Sequence, residues 1–472
     1  MTESSLQELP ARPEPQARKG AKCHGRFSWG TILSFDPARI RQRLIPWAMK
    51  GGLAILDQAV FAGSNFAISI LLARWLSPEQ YGMYAVAFAV LLFLLNFQQA
   101  LVLEPMLVFG SSVYRGCLQG YLKALLSLHL GMSLVMVLGL CVAAAVASKL
   151  GQANGLPDAL IGVAFAAPTV LLLWLAKRIF YLKLSPAPSA GAALLYCALT
   201  MGGLALVYKH KQLSPLSAFL LMGLGAFAAS IVLLSYLRLR LSSSQLTPSL
   251  RDSWRRHWRY GRWALGANAM MWIPINAFYP LLSRFSGMAQ AGELKALMNF
   301  AAPMLQACAA LHTLMLPYAS RVLEDRGTPG VSIVVRRMTL LCVSCAVPYW
   351  VVLLLFKGPA FRVLYAGRYT EVAYLLPIVA VASVAGSAFF GPTIVLRSME
   401  LPGLIFASVS FSSCISIAIG IPLTRAWGIG GAVWSIALSE ALAFVAAFVL
   451  VRRKTRRSLE KAATVLALSP NE

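Results

Sequence analysis

The stretch GGLAILDQAVFAGSNFAISILLA, residues 51–73, is long and mostly apolar, and further stretches of the same kind follow it along the chain. A helix of about 20 apolar residues crosses the ~30 Å hydrocarbon core of a bilayer. We therefore predict about a dozen membrane helices. The twelve predicted spans lie near residues 51–73, 82–108, 121–147, 158–180, 188–208, 214–237, 261–283, 292–317, 334–356, 372–396, 401–423 and 430–451.

The composition indicates that lipid, and not water, surrounds most of the chain. Of its 472 residues, 58% are hydrophobic and only 12% are charged, and the mean hydropathy is +0.69. Soluble domains carry roughly 25% charged residues. The net charge of +25 would indicate nucleic acid in a soluble protein. Here the basic residues lie between apolar stretches, which favours the positive-inside rule and no nucleic-acid partner.

The distribution of basic residues predicts the orientation in the membrane. With the N-terminus in the cytoplasm, 32 of the 42 Lys and Arg residues fall on the cytoplasmic side of a twelve-span chain. The inverted arrangement would reverse this ratio, so both termini are expected in the cytoplasm. The first fifty residues contain no apolar signal-peptide core, and we expect the first span to direct its own insertion.

The longest connection between spans divides the chain into two halves of six helices. It is rich in Arg and Trp, which favours a cytoplasmic linker lying on anionic headgroups over a nucleic-acid patch. The predicted fold is an all-α membrane protein with two six-helix lobes. The predicted segments are a cytosolic tail with an interfacial lead-in (1–50), the N-terminal lobe (51–237), the basic linker (238–260), the C-terminal lobe (261–451) and a cytosolic tail (452–472).

Two short segments indicate an internal repeat between the halves. LLARWLSPEQYG at 71–82 and LLSRFSGMAQAG at 281–292 align without gaps and share Leu-Leu-x-Arg, a following aromatic residue, a Gln and a Gly. Each segment lies at the outer end of the first helix of its half, so Arg74 and Arg284 occupy equivalent positions. Six spans per half give both halves the same orientation, and their symmetry axis would lie along the membrane normal.

The sequence carries no catalytic or metal-binding pattern. GxSxG, P-loop and HExxH motifs are all missing. Cys342 and Cys345 form a CxxC inside an apolar stretch, without a second pair or a nearby histidine. This arrangement indicates helix-core residues and not metal ligands. We expect no metal, no cofactor and no enzymatic activity.

Ionisable and amide side chains inside the spans are informative, because each is costly in lipid unless it faces a cavity or a partner. Asp57 and Glu104 are the carboxylates of the first half, and their alternative role is a structural hydrogen bond between helices. Arg74 and Arg284 are equally compatible with snorkelling to the headgroups. Further polar residues at membrane depth are Asn65, Asn268, Asn276, Lys295, Asn299, Gln306, His312 and Glu440.

Prolines mark where helices are expected to bend or begin. The segment IPINAFYP at 273–280 places two prolines in span seven, and Pro105 lies near the inner end of span two. After span one, Ser77 followed by Pro78 and Gln80 predicts a capping box that starts span two.

The first two spans carry a motif that resembles a known family. LDQAVFAGSNFAISILLARWLSPEQYGMYAVAF at 56–88, followed by QQALVLEPMLVFG at 98–110, resembles the N-terminal region of bacterial polysaccharide exporters. These are the Wzx-type oligosaccharide flippases of the multidrug/oligosaccharidyl-lipid/polysaccharide exporter superfamily. Members typically read Ala-Arg-x-Leu-(Gly/Ser)-Pro-Glu-x-(Tyr/Phe)-Gly-x-Tyr, which runs here from Ala73 to Tyr84 with Ser77 in place of the commoner Gly.

The resemblance implies a MATE-like flippase architecture, in which two six-helix bundles enclose a cavity that opens alternately to each side. The implied cargo is a polyprenyl-pyrophosphate-linked oligosaccharide, flipped across the bacterial inner membrane during polysaccharide biosynthesis. Basic residues would neutralise the pyrophosphate and amides would contact the sugar. Asp57 or Glu104 would couple transport to an ion gradient. The candidate substrate-binding residues are Arg74, Arg284, Lys295, Asn299, Asn65 and Asn276.

Two alternative functions stay open. A multidrug or other small-molecule antiporter of the same superfamily would share the fold and differ in its cavity. A membrane enzyme acting on lipid-linked sugars is disfavoured by the short outward connections. The expected partners are the lipid bilayer and the polyprenyl-linked glycan, with other polysaccharide-assembly proteins left open.

Overall fold

The computed structural model describes residues 37–149, 155–183, 185–237, 249–399 and 401–468, and within these ranges the chain forms helices and no β-strand. Short π-helical or 3-10 segments lie at Gln99–Leu103, Arg115–Cys117 and Thr370–Leu375. The α-helices are α1 Pro37–Trp75, α2 Pro78–Gln98, α3 Glu104–Ser111, α4 Leu118–Lys149, α5 Leu156–Leu182, α6 Ala187–Lys209, α7 Pro215–Leu237, α8 Leu250–Asn276, α9 Phe278–Phe285, α10 Met288–Leu355, α11 Lys357–Tyr365, α12 Leu376–Ser398 and α13 Pro402–Leu468.

These helices are long enough to cross a membrane about a dozen times. Among the described residues, 10 stretches are long and apolar enough to be membrane spans. The last of them, Pro402–Arg456, has 55 residues and is interrupted at Gly428, so it can cross twice. The helix pair α8–α9 adds a further crossing, whose Arg-rich start lowers its overall hydropathy. The predicted all-α, multi-pass membrane fold is therefore confirmed.

Two very long helices each consist of two membrane helices joined at a glycine. α10 has a non-helical residue at Gly327 with φ 56°, and α13 has one at Gly428 with φ 53°. A positive φ is unfavourable for residues that carry a Cβ atom, whereas glycine adopts it without strain. Each glycine therefore lets the chain turn sharply between two spans without a long connecting loop.

The turn between α1 and α2 confirms the predicted capping box. The Ser77 hydroxyl accepts a hydrogen bond of 3.2 Å from the backbone N–H of Gln80, and the Gln80 side chain accepts one of 3.3 Å from the backbone N–H of Ser77. Both bonds satisfy N–H groups that the start of a helix leaves without partners. Span seven is also interrupted within its proline segment, because α8 ends at Asn276 and α9 begins at Phe278.

Span two changes its helical winding just before Pro105. Residues Gln99–Leu103 form a π-helical turn, and α3 begins at Glu104. Pro105 has no N–H group to donate to the carbonyl of Leu101. That carbonyl accepts a hydrogen bond from Nδ1 of His257 on α8 instead, at 2.8 Å. A helix of the second half thus supplies the donor that span two lacks.

We call the two halves of the helix order the first and the second lobe, after the predicted segments. The first lobe comprises α1–α7, in which α5 packs against α4 and α7 and α6 packs against α7. The second lobe comprises α8–α13, in which α12 packs against α10 and α13. Between the lobes, α2 packs along α10, and α8 packs on the π-helical turn of span two.

Some predicted segment ends differ from the observed helices. The predicted linker 238–260 lies outside the described residues up to position 248, and its remainder belongs to α8, which begins at Leu250. α8 extends because Ser253, His257 and Gly261, four residues apart, form a buried face against the first lobe. α13 continues to Leu468, beyond the predicted end of the last span.

Candidate functional site

An ion pair buried within the first lobe joins α1 to α5. Asp57 is fully buried, its Oδ1 lies 2.9 Å from Nζ of Lys177, and its Oδ2 accepts a 2.6 Å hydrogen bond from the Tyr181 hydroxyl. Nζ of Lys177 also lies 4.3 Å from the ring centroid of Phe61. Lys177 and Tyr181 are four residues apart, so α5 presents both on one face to α1. The pairing offsets the cost of two charges at membrane depth.

Further charged side chains lie around Glu104. Arg178 is half-buried next to Lys177 on α5 and lies within electrostatic range of Glu104. Glu104 is half-buried at the start of α3 and accepts a long hydrogen bond of 3.5 Å from Gln99. Arg397, in the last turn of α12, is exposed and also lies within electrostatic range of Glu104. Arg178 of α5 and Arg397 of α12 therefore both interact electrostatically with Glu104, and neither forms an ion pair with it within the described ranges.

We refer to Asp57, Lys177, Arg178, Glu104 and Arg397 as the charge cluster. Its members lie toward the helix ends that the basic-residue distribution predicts to be cytoplasmic. Cations outnumber carboxylates in it, so it can attract an anion. From the sequence, only the two carboxylates are predicted as site residues, whereas the three cations contribute to the predicted positive-inside distribution. The sequence does carry a signal for two of these cations, because Lys177 and Arg178 lie inside the predicted span 158–180, where charged side chains are costly.

Asn299 belongs to a buried hydrogen-bond network that joins the two lobes. Its Oδ1 accepts from the Ser69 hydroxyl at 3.0 Å, and its Nδ2 donates to the Tyr81 hydroxyl oxygen at 3.0 Å. The Tyr365 hydroxyl oxygen lies 3.4 Å from the same nitrogen, and its proton is donated to the carbonyl of Ala296. The amide that was selected as a sugar contact is thus occupied by protein groups of both lobes in this structure.

The outer ends of α2 and α10 cross at two glycines that the repeat places at equivalent positions. A Cβ atom at Gly82 would overlap with the α10 backbone, and one at Gly292 would lie 2.6 Å from the carbonyl of Pro78. Arg368 adds a hydrogen bond to the carbonyl of Leu76 across the same region. The lobes are therefore in contact on the side predicted to face outward.

The two arginines of the repeat do not belong to the charge cluster. Arg74 and Arg284 are exposed in the last turns of α1 and α9. Within the described ranges, neither makes a hydrogen bond or an ion pair. Their joint role in binding an anion stays a prediction.

The other candidate residues lie apart from one another. Lys295 is half-buried on α10, with Nζ 4.7 Å from the ring centroid of Phe88 in the first lobe. Asn65 and Asn276 each donate from Nδ2 to a carbonyl four residues earlier in their own helices, at 3.0 and 3.1 Å. No three His, Cys, Asp or Glu side chains of the described part of the chain are grouped as metal ligands. Cys342 is buried and Cys345 is exposed, so the CxxC residues face different surroundings.

The structure is similar to solved transporter structures. An inward-facing multidrug resistance transporter of the MATE family in the MOP superfamily matches with a TM-score of 0.74 at 12% identity, over 86% of this chain and 99% of that chain. The lipid II flippase MurJ in an inward closed conformation matches with a TM-score of 0.64 at 11% identity, over 90% and 94%. The MATE multidrug transporter DinF-BH matches with a TM-score of 0.61 at 15% identity, over 86% and 95%. At such identities these similarities establish the fold.

The sequence itself identifies the family. No curated protein sequence matches the chain. The model of the family described as polysaccharide biosynthesis protein matches residues 71–374, well over half of the chain. That range includes the repeat segments, Glu104, the cations of α5 and both contact regions between the lobes. The chain belongs to the polysaccharide biosynthesis protein family, and its fold is that of the MATE and MurJ transporters.

Proposed function

We propose that this protein flips a polyprenyl-pyrophosphate-linked oligosaccharide from the cytoplasmic to the outer leaflet of the bacterial inner membrane by alternating access. The observation that carries the proposal is the charge cluster, in which the Asp57–Lys177 ion pair at 2.9 Å lies beside Arg178 on α5, with Glu104 and Arg397 at neighbouring helix ends. Membership in a polysaccharide biosynthesis family and the fold shared with a lipid II flippase support this cargo.

The barrier to flipping is the polar headgroup of the cargo. The saccharide and the pyrophosphate cannot enter hydrocarbon, whereas the prenyl chain can stay in the lipid throughout. Arg178 and Arg397 would each offer a planar guanidinium fork to phosphate oxygens. An anion bound between arginines of both lobes would draw the lobes together on that side. That movement would open the outer contact at Gly82 and Gly292.

The ion-coupling role is assigned to the two carboxylates. Asp57 is already paired with Lys177 at 2.9 Å, so an exchanging ion would compete with this cation for the carboxylate. Among the described residues, no cation forms an ion pair with Glu104, and the hydrogen bond that it accepts from Gln99 is long at 3.5 Å. We assign ion exchange to Glu104 first, and to Asp57 when Lys177 leaves it during the cycle. No covalent chemistry is assigned to the protein.

A deletion strain provides the test. We expect it to lose a surface or secreted polysaccharide, such as a lipopolysaccharide chain or an exopolysaccharide, and to accumulate lipid-linked repeat units on the cytoplasmic leaflet. Arg178→Gln or Arg397→Gln, supplied at matched membrane abundance, should lower transport about ten- to a hundredfold, because each removes charge-assisted hydrogen bonds. Arg362→Gln is the control, since Arg362 is exposed on α11 away from the cluster.

Two outcomes would contradict this assignment. Full transport by both cluster variants would remove the charge cluster from the binding site. A deletion strain with normal polysaccharide but new sensitivity to cationic drugs would support the multidrug antiporter instead.

A further inference from the structure

A pocket of about 440 Å³ lies where the start of α8 meets the connection between α3 and α4. Its volume falls in the range of small-molecule sites. On α8 the lining residues follow the spacing i, i+3, i+4 and i+7, so they form one stripe along the helix. The lining residues are Tyr114, Ser249, Asp252, Arg255, Arg256 and Arg259.

The three arginines of this stripe have hydrogen-bond donors that are available to a ligand. Arg255, Arg256 and Arg259 are all exposed, and none makes a hydrogen bond or an ion pair within the described ranges. Asp252 is also exposed and forms no ion pair there, so the lining carries an excess of positive charge. A set of guanidinium groups on one face of a pocket matches a ligand with several phosphate oxygens.

The opposite wall of the pocket is held rigidly by the first lobe. Tyr114 is buried and its ring is stacked on Tyr121, with the centroids 4.2 Å apart. The Tyr121 hydroxyl is 2.7 Å from Nε2 of His257, whose other nitrogen donates to the carbonyl of Leu101. These contacts hold the backbone of α8 against the first lobe, so the arginine stripe and Tyr114 line the same pocket in this structure.

The depth of the pocket indicates where its ligand resides. Trp254 and Trp258 lie on the same part of α8, with their ring centroids 5.8 Å apart, and Trp258 is exposed. Tryptophans collect at the headgroup level of a membrane. The connection between α3 and α4 lies on the face predicted to be cytoplasmic. A ligand here would be a phosphate group at the cytoplasmic headgroup level.

We propose that this pocket captures the pyrophosphate of the lipid-linked cargo before the cargo passes between the lobes. The cargo and ordinary phospholipids both carry a lipid phosphate that could bind here. We favour the cargo, because a pyrophosphate engages several guanidinium groups at once. This inference rests on the proposed function. It adds a loading site outside the charge cluster, at the start of α8, the first helix of the second lobe.

Binding of a polyprenyl pyrophosphate to the full chain in phosphatidylcholine nanodiscs, followed by native mass spectrometry, tests the proposal. Arg255→Gln/Arg259→Gln should weaken binding by at least about tenfold, since two charge-assisted contacts are lost. Arg251→Gln/Arg262→Gln removes the same charge from exposed positions of the same helix that do not line the pocket, and it should change binding less than about twofold. Arg255→Lys/Arg259→Lys keeps the charge and should recover binding in part.

The possible results separate the two proposals. If the wild-type protein binds no polyprenyl pyrophosphate, the proposed function itself fails. If it binds and the Gln pocket variant binds equally well, the pocket proposal fails while the function stands. An equal loss in the control variant would show a general charge effect and would also overturn the pocket. Displacement of the cargo by excess phosphatidylglycerol would assign the pocket to ordinary phospholipid headgroups and overturn cargo capture.

Discussion

Replacing Lys177 by Met should destabilise the first lobe strongly, because Asp57 would keep only the hydrogen bond from Tyr181. At the observed separation of 2.9 Å, the attraction between the two charges is on the order of 6 kcal/mol for an effective dielectric constant of about 20. Much of this offsets desolvation of the two groups. The expected loss is therefore that of a broken buried pair, about 3–5 kcal/mol of unfolding free energy.

A double-mutant cycle separates the pair from its surroundings. Asp57→Asn should cost about as much as Lys177→Met, whereas the double variant should cost clearly less than the sum, since it leaves no unpaired charge behind. Lys183→Met is the control, because Lys183 is exposed at the end of α5 and should cost less than about 0.5 kcal/mol. Thermal unfolding of the purified proteins in one detergent, read by intrinsic tryptophan fluorescence, measures all four.

The cycle also tests whether the pair takes part in transport. If Lys177 leaves Asp57 during the cycle, the double variant should regain much of the lost stability but not the transport activity. Two results would refute the reasoning about the buried pair. One is a cost for Lys177→Met no greater than for Lys183→Met, and the other is strict additivity of the two single variants.

Gly82→Val places a side chain where α10 leaves no room and should abolish transport, whereas Gly139→Val, at a glycine with open surroundings, should not. Equal transport activity of the two variants would contradict the close crossing of α2 and α10. Arg284→Ala should reduce transport about ten- to a hundredfold if Arg284 and Arg74 contact the pyrophosphate together, and Arg284→Lys should recover only part because the bidentate fork is lost. A fully active lysine variant, measured at matched membrane abundance, would favour snorkelling instead. A single cysteine at Thr370, in an otherwise cysteine-free protein, should react with an impermeant thiol reagent added to intact cells, and one at Ser112 should react only after the cells are opened; the reverse result would invert the topology.

The fold was largely predictable because each span is a local property of the chain. About 20 consecutive apolar residues are enough to indicate a membrane helix, and the capping box at Ser77 depends on neighbours only three residues apart. The π-helical turn at Gln99–Leu103 was harder to predict from the sequence. Pro105 indicates a disturbance in span two, but the partner of the freed carbonyl comes from His257, far along the chain. The extension of α8 into the predicted linker likewise depends on packing against the first lobe.

The candidate site was predictable only in part, for a related reason. The cost of a charge in lipid singles out Asp57 and Glu104 from sequence alone. It does not say that Lys177 lies within 2.9 Å of Asp57, because 120 residues separate them and only the packing of α5 on α1 brings them together. Asn299 illustrates the opposite case. Its amide has the chemistry of a sugar contact, yet protein groups of both lobes occupy it here.

The carbonyl that Pro105 leaves without an intrahelical donor has a consequence for how α8 can move. In this structure the imidazole of His257 satisfies it. Any motion that withdraws α8 from span two exposes a bare carbonyl, at a cost of about 1–3 kcal/mol while it stays dry. Water can substitute for the imidazole as donor, so we expect hydration of the carbonyl to accompany the separation. Separation of the lobes at this joint should therefore include wetting of the Leu101 carbonyl, and its rate should respond to solvent viscosity and to deuterated water.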